Sequence, residues 1–199
     1  MASKTSISSA WMCLAFIFLF LVTVQHSHAD NETGKQFSHD EWTEILQQYV
    51  DEKGFVDYVS LNENSAPLYE FTARIEQTSP VNSPELFPNR DAQLAYYINA
   101  YNALVFKAVL ERGPETESVW KGLISGLNFF VRTPIYVGGD KTNLRKLENK
   151  VIRDGFKDPR IHAALNCASV SCPRLFQEAY LPETLDQQLD AAMSEFVNS

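Results

Sequence analysis

Between Asp91 and Arg112 the chain can place apolar side chains round most of a helix, and that stretch limits what the rest can fold into. Leu94, Tyr97, Ile98, Tyr101, Leu104, Val105, Ala108 and Val109 step by threes and ones, and Phe106 widens the arc. A solvated strip is expected only near Gln93, Ala100, Lys107 and Glu111. A helix apolar over most of its circumference is covered on several sides, so the spacing predicts a central helix with the other elements packed round it. Gly113 caps its end and Pro114 prevents continuation. Asn99 and Asn102 flank the buried stripe, where an unpaired amide costs about 1–3 kcal/mol. Their carboxamides are therefore expected to find partners inside the protein, either neighbouring backbone, which is the usual outcome, or a functional imidazole.

Shorter elements are read around this helix. Ser38 to Glu41 has the spacing of a capping box before Trp42, Ile45, Leu46, Tyr49 and Val50, so a helix is predicted over 39–50. Phe55 to Val59 reads as a strand, Leu68, Phe71 and Ile75 as a second helix, and 78–90, with three prolines, as a surface loop. Phe129 to Val137 looks like strand material leading into a Gly138-Gly139 turn, with Pro134 marking an edge or a break. A helix is predicted over 143–154, closed by Gly155, and another after Pro182 with Leu185, Leu189, Ala192 and Met193 inside. The expected fold is α+β, a helix-rich single domain over 30–199 with a small sheet.

Residues 1–29 are set apart as a targeting segment. Lys4 supplies a positive start, Trp11 to Val24 is an apolar run, and Ser27 and Ala29 are the small residues signal peptidase reads. As a helix that run rises about 21 Å, short of a hydrocarbon core of about 30 Å, so cleavage is expected over anchoring. Cys13 leaves with it. The expected destination is the periplasm or the medium, with no membrane attachment after cleavage.

Charge narrows the partners. With 17 Lys and Arg against 25 Asp and Glu, the formal net charge is −8. That opposes nucleic-acid binding, which needs a phosphate-neutralising surface. Lys141, Arg145, Lys146, Lys150 and Arg153 form the one basic patch. A solvated helix face is its ordinary explanation and an anionic substrate the other. No cofactor is expected.

The chemistry-bearing residues gather in RIHAALNCASVSCP, residues 160–173. Together with INAYNAL at 98–104, VDYVSL at 56–61 and a VGG turn followed by LRKLENKVIR, this run closely resembles the domain of unknown function 547 family. The family occurs in exported bacterial proteins and, fused to a leucine-zipper region, in plant proteins. The resemblance runs from about residue 45 to the C-terminus. It implies a papain-like α+β arrangement and matches the family's Cys and His positions to Cys167, Cys172 and His162. Glu148 matches an acidic position commonly followed by His, where Asn149 stands here. Members usually continue past the point matching Ser199 with a further helical segment, so the chain is expected to be either a fragment or a member lacking part of the site's wall.

The residues themselves leave four readings of the two cysteines. A reactive Cys167 would need His162 as base and Glu148, Asn99 or Asn102 to orient the imidazole. Residues five apart point to opposite faces of a strand and lie about 140° apart on a helix, so that pairing demands a tight turn. Failing it, His162 would serve Asn166 and His39 would be the base. A Cys167–Cys172 disulfide suits an oxidising compartment. Zinc held by His162, Cys167, Cys172 and a carboxylate or His39 is the third reading, though the paired C-x-x-C spacing is missing. Two inert thiols are the fourth. Two functions are compatible with these readings: a cysteine-dependent hydrolase or transferase acting on a peptide or small thiol peptide, or a binding module in which Cys172 is held to Cys167.

Export is the first testable expectation. Mass spectrometry of secreted or periplasmic protein should find a chain beginning at Asp30; an intact Met1 in a membrane fraction would contradict it.

Overall fold

The computed structural model describes residues 36–113, 123–168 and 172–198, with the side chains of 123–127 excepted. The targeting segment therefore lies outside the described residues. The described residues all fall within one compact unit, residues 33–199.

The fold is α+β and helix-rich. Helices α1 (Asp40–Tyr49), α2 (Tyr58–Glu63) and α3 (Ala66–Gln77) precede the long α4 (Arg90–Arg112), and α5 (Leu123–Arg132) leads into a hairpin of β1 (Ile135–Val137) and β2 (Asp140–Thr142). A composite helix comes next, built of α6 (Leu144–Lys146), a π segment (Leu147–Arg153) and α7 (Asp154–Phe156). The short α8 (Ile161–Ala164) and the final α9 (Leu185–Asn198) complete it.

Helix α4 is the axis, as its pattern requires. Asn89 caps it by accepting from the Ala92 amide, and at its end the Gly113 amide bonds the Val109 and Leu110 carbonyls. The solvated strip is narrower than its sequence implies: Ala100 is 0% exposed, while Gln93 and Lys107 are half-buried and Glu111 exposed. Helices α2 and α3 and the π segment all pack on α4, so the strip shrinks to long side chains that reach past their neighbours.

Aromatic rings fill the space between α1, α3 and α4. Trp42 stacks on Phe71 with centroids 5.9 Å apart and meets Phe106 edge-on at 5.0 Å, while Phe37 and Phe87 both set edges against Tyr96. Gly138 and Gly139 turn the hairpin with φ of 59° and 86°, the left-handed pair that a two-residue connection needs. The Gly138 and Gly139 amides bond the Ile75 and Glu76 carbonyls, so the turn caps α3. A Cβ on Gly138 would lie 2.1 Å from Ser79 Oγ, which leaves no room for any other residue.

Three local expectations are corrected. Phe55 to Val59 is not a strand, since only Val56 bridges Val50 before Asp57 starts α2 by accepting from the Ser60 amide at 3.0 Å and its hydroxyl at 2.6 Å. Phe129 to Arg132 is the end of α5, with Phe129 and Phe130 buried side by side as helix geometry allows, and only Ile135 to Val137 is strand. The capping box is not formed either. The cap position is His39, Ser38 Oγ takes the Asp40 amide, and Glu41 reaches Arg74 at 2.7 Å instead of turning back. Elsewhere the chain after 143–154 reverses at Lys157, whose φ is 58°, with Gly155 inside the last turn.

His39 is buried at 4% exposure against Phe37, with Nδ1 lacking a partner among the described residues and the Arg74 guanidinium nearby. Burial, then the Arg74 charge, lowers its pKa from 6.5 to about 4. The native state thus holds a neutral imidazole while the unfolded chain takes up a proton below about pH 6.5. The resulting stability is complete above that pH and is lost as pH falls toward 4, a change of about 3 kcal/mol. Denaturant unfolding at pH 7, 5.5 and 4 should show a shallower decline in His39→Phe than in the native sequence; equal slopes would contradict this burial.

Candidate functional site

Two side chains of α4 hold the C-terminal third of the chain by its backbone. Asn99 donates from Nδ2 to the Tyr180 carbonyl at 2.7 Å and accepts the Tyr180 amide on Oδ1 at 3.0 Å. Asn102 donates to the Ala164 carbonyl and accepts the Asn166 amide, both at 3.0 Å. Each carboxamide presents a donor and an acceptor side by side, the pattern a backbone segment also presents, so each reads a short stretch of main chain as a neighbouring strand would. Asn99 and Asn102 thus have backbone partners and leave no group directed at an imidazole.

Asn102 fixes the chain just before the cysteines. From Asn166 onward the backbone closes on itself: Asn166 Nδ2 donates to the Pro173 carbonyl, and Oδ1 accepts the Ala168 amide. Cys167 and Cys172 are joined by a disulfide with Cα atoms 5.9 Å apart, and the Cys167 amide donates to Cys172 Sγ. Ala168 occupies the left-handed region, with φ of 52°, an uncommon place for a residue with a side chain. Of the four readings of the cysteines, the structure has the disulfide.

His162 looks elsewhere. It is exposed on α8, and its Nδ1 lies 2.9 Å from Arg153 Nη2. A guanidinium only donates, so Nδ1 accepts and the neutral ring carries its proton on Nε2. The Phe196 ring stands edge-on to it at 5.2 Å. The same Arg153 nitrogen is 2.8 Å from Glu148 Oε1, and Glu148 Oε2 accepts from the Tyr101 hydroxyl at 3.2 Å. Burial, then the Glu148 charge, raises the Tyr101 pKa. A line of polar groups therefore runs Tyr101, Glu148, Arg153, His162 from the central helix to the surface.

The π segment makes that line. Five residues apart, Glu148 and Arg153 would sit about 140° apart on an α-helix, but the i to i+5 bonding of a π turn brings them roughly one turn apart on one face. No simple residue signal marks such a segment in the sequence, and Arg153 counts there only as part of a basic patch. Asn149 turns back to the Arg145 carbonyl. The candidate residues thus divide into two groups, Glu148 with His162 through Arg153, and Cys167 with Cys172 through the Asn102-held backbone. Asn166 bonds Asn102, Ala168 and Pro173, so the fallback in which His162 serves Asn166 gives way to a role in holding backbone. His39 sits with Phe37 and Arg74. Among the described residues no three His, Cys, Asp or Glu side chains gather where one metal ion could be held, and no helix is long and apolar enough to cross a membrane.

Removing the clamp should register as stability. Asn102→Ala leaves the buried Ala164 carbonyl and Asn166 amide without partners and should lower the unfolding free energy by about 1–3 kcal/mol. Urea denaturation measures it, and an unchanged midpoint would contradict the clamp.

The pattern of the family described as "Protein of unknown function, DUF547" matches residues 86–197. No curated protein and no solved structure matches the chain. The family match opens at Leu86, just before α4, and closes at Val197 in α9, so it takes in both carboxamide clamps, the hairpin, the π segment and the bonded cysteines. By that match over more than half its length, this chain belongs to the DUF547 family of proteins of unknown function.

Proposed function

We propose that the protein is an exported, non-catalytic binding module whose recognition surface lies beside the Cys167–Cys172 disulfide and that takes a peptide or small thiol peptide. The observation that carries this reading is the Cys167–Cys172 bond. A cysteine nucleophile acts as a thiolate, and a sulfur shared with Cys172 is neither thiol nor thiolate. His162 supports the same conclusion, because its Nδ1 is taken by Arg153 and its hydrogen bonding leads to Glu148 and not to sulfur. The apolar run and small residues of positions 1–29 favour export, and an oxidising compartment keeps such a bond closed. At the surface, the exposed imidazole and the half-buried Arg153 guanidinium offer a peptide hydrogen-bond donors.

Alkylation with iodoacetamide, mapped to each cysteine at pH 6 to 7, tests this. Neither Cys167 nor Cys172 should label until a reductant is added, and Cys172→Ala should cost about 2 kcal/mol of stability, the chain-entropy value of so short a loop. Fast labelling of Cys167 in the untreated protein, slowed by His162→Ala, would overturn the binding reading in favour of a cysteine enzyme.

A further inference from the structure

The basic patch read in the sequence separates, in three dimensions, into cations with partners and cations without. Lys150 pairs with Asp154 at 3.0 Å and Arg153 with Glu148 at 2.8 Å. Other cations are satisfied in the same way: Lys107 by Glu76, Arg74 by Glu41, Arg174 by Glu195, and Arg160 by Asp158, Asp186 and Asp190. In a chain with 25 acidic against 17 basic residues, pairing of this kind is the expected state. Arg132, Lys141 and Lys146 depart from it, as do Lys53, Arg90, Arg145 and Lys157. None has an ion-pair partner among the described residues, yet Arg132, Lys141 and Lys146 all border one cavity of about 270 Å³, which the others do not line.

The rest of that cavity's lining offers hydrogen-bond donors. Thr133 and Thr142 contribute hydroxyls, and Val131 and Pro134 are apolar. Asn143 commits its Oδ1 to the Lys146 amide at 2.9 Å, which leaves its Nδ2 as the available group. Among the described residues no carboxylate lines the space. The cations arrive from three elements: Arg132 from the end of α5, Lys141 from β2 and Lys146 from α6. Like charges brought round one space repel, and an anion in the cavity relieves that repulsion.

We infer that this cavity between α5, the hairpin and α6 is a binding site for a tetrahedral oxyanion, the terminal phosphate or sulfate group of a larger ligand. Cations converging from three directions, with hydroxyl and amide donors between them, match acceptors spread over a tetrahedron better than the two coplanar oxygens of a carboxylate. The cavity is open to solvent and larger than such a group alone, so the remainder of the ligand extends outward. The inference stands apart from the disulfide and from the binding reading given above, and either can fail without the other.

Titration of the purified protein with inorganic phosphate, sulfate or acetate, with ionic strength held constant by sodium chloride and followed by melting temperature and calorimetry, tests it. Phosphate or sulfate should bind saturably, the tighter of the two naming the head group, and acetate should bind more weakly. Lys141→Gln/Lys146→Gln and, separately, Arg132→Gln should each weaken binding by about tenfold or more. Lys150→Gln, whose ammonium belongs to Asp154, should leave it unchanged, which separates the cavity from general charge. Equal responses to phosphate and chloride, equal affinity for acetate, or variants that bind as tightly as the native sequence would overturn the assignment.

Discussion

Two carboxamides on the central helix decide where the C-terminal third of this protein lies. Asn99 and Asn102 are 0% and 2% exposed, and each exchanges a donor and an acceptor with main chain more than sixty residues away. A buried hydrogen bond adds only about 1 kcal/mol net, but the same group left unpaired costs up to about 3 kcal/mol. The interaction therefore matters more for excluding other arrangements than for adding stability. Apolar packing alone would let the segments around 164–166 and 180 slide along α4; the four bonds fix their register. The disulfide, the exposed His162 and the start of α9 all depend on that placement.

The path from sequence to fold is clearest where one physical requirement dominates. Helix α4 is legible because seventeen of its residues are buried and its ends carry Asn89 and Gly113. The demand that Asn99 and Asn102 find internal partners is legible for the same reason, although the partners themselves are set by tertiary contacts that no local pattern encodes. Helix α2 is hidden by β-prone residues in its first turn, Tyr58 and Val59, which mask the cap offered by Asp57 and Ser60. Helix α5 is hidden by the same bias in Phe129, Phe130 and Val131. In both cases the β preference of single side chains points one way and tertiary packing the other, and packing prevails.

The candidate site shows the same division. The Cys167–Cys172 pairing is one of the readings their spacing allows, and the helical phase puts Tyr101 on the buried face of α4. What joins Tyr101, Glu148, Arg153 and His162 is a π segment, which depends on how the composite helix is pressed against α4 and leaves no mark in residue type. The basic patch is visible as composition, but only the folded arrangement separates Arg153 and Lys150, which have carboxylate partners, from Lys141 and Lys146, which join Arg132 round a cavity that no carboxylate lines among the described residues. A family match over 86–197 joins all of these features in one unit.

The clamp is tested most directly at the two amides it holds. Native-state hydrogen exchange, read residue by residue by NMR, reports whether the Asn166 and Tyr180 N–H groups open only with the whole domain or with local loops. The account predicts that both are protected to a degree comparable with the middle of α4, and that Asn102→Ala releases Asn166 while leaving Tyr180 protected. Exchange of both amides at the rate of exposed loops, with α4 itself protected, would contradict it.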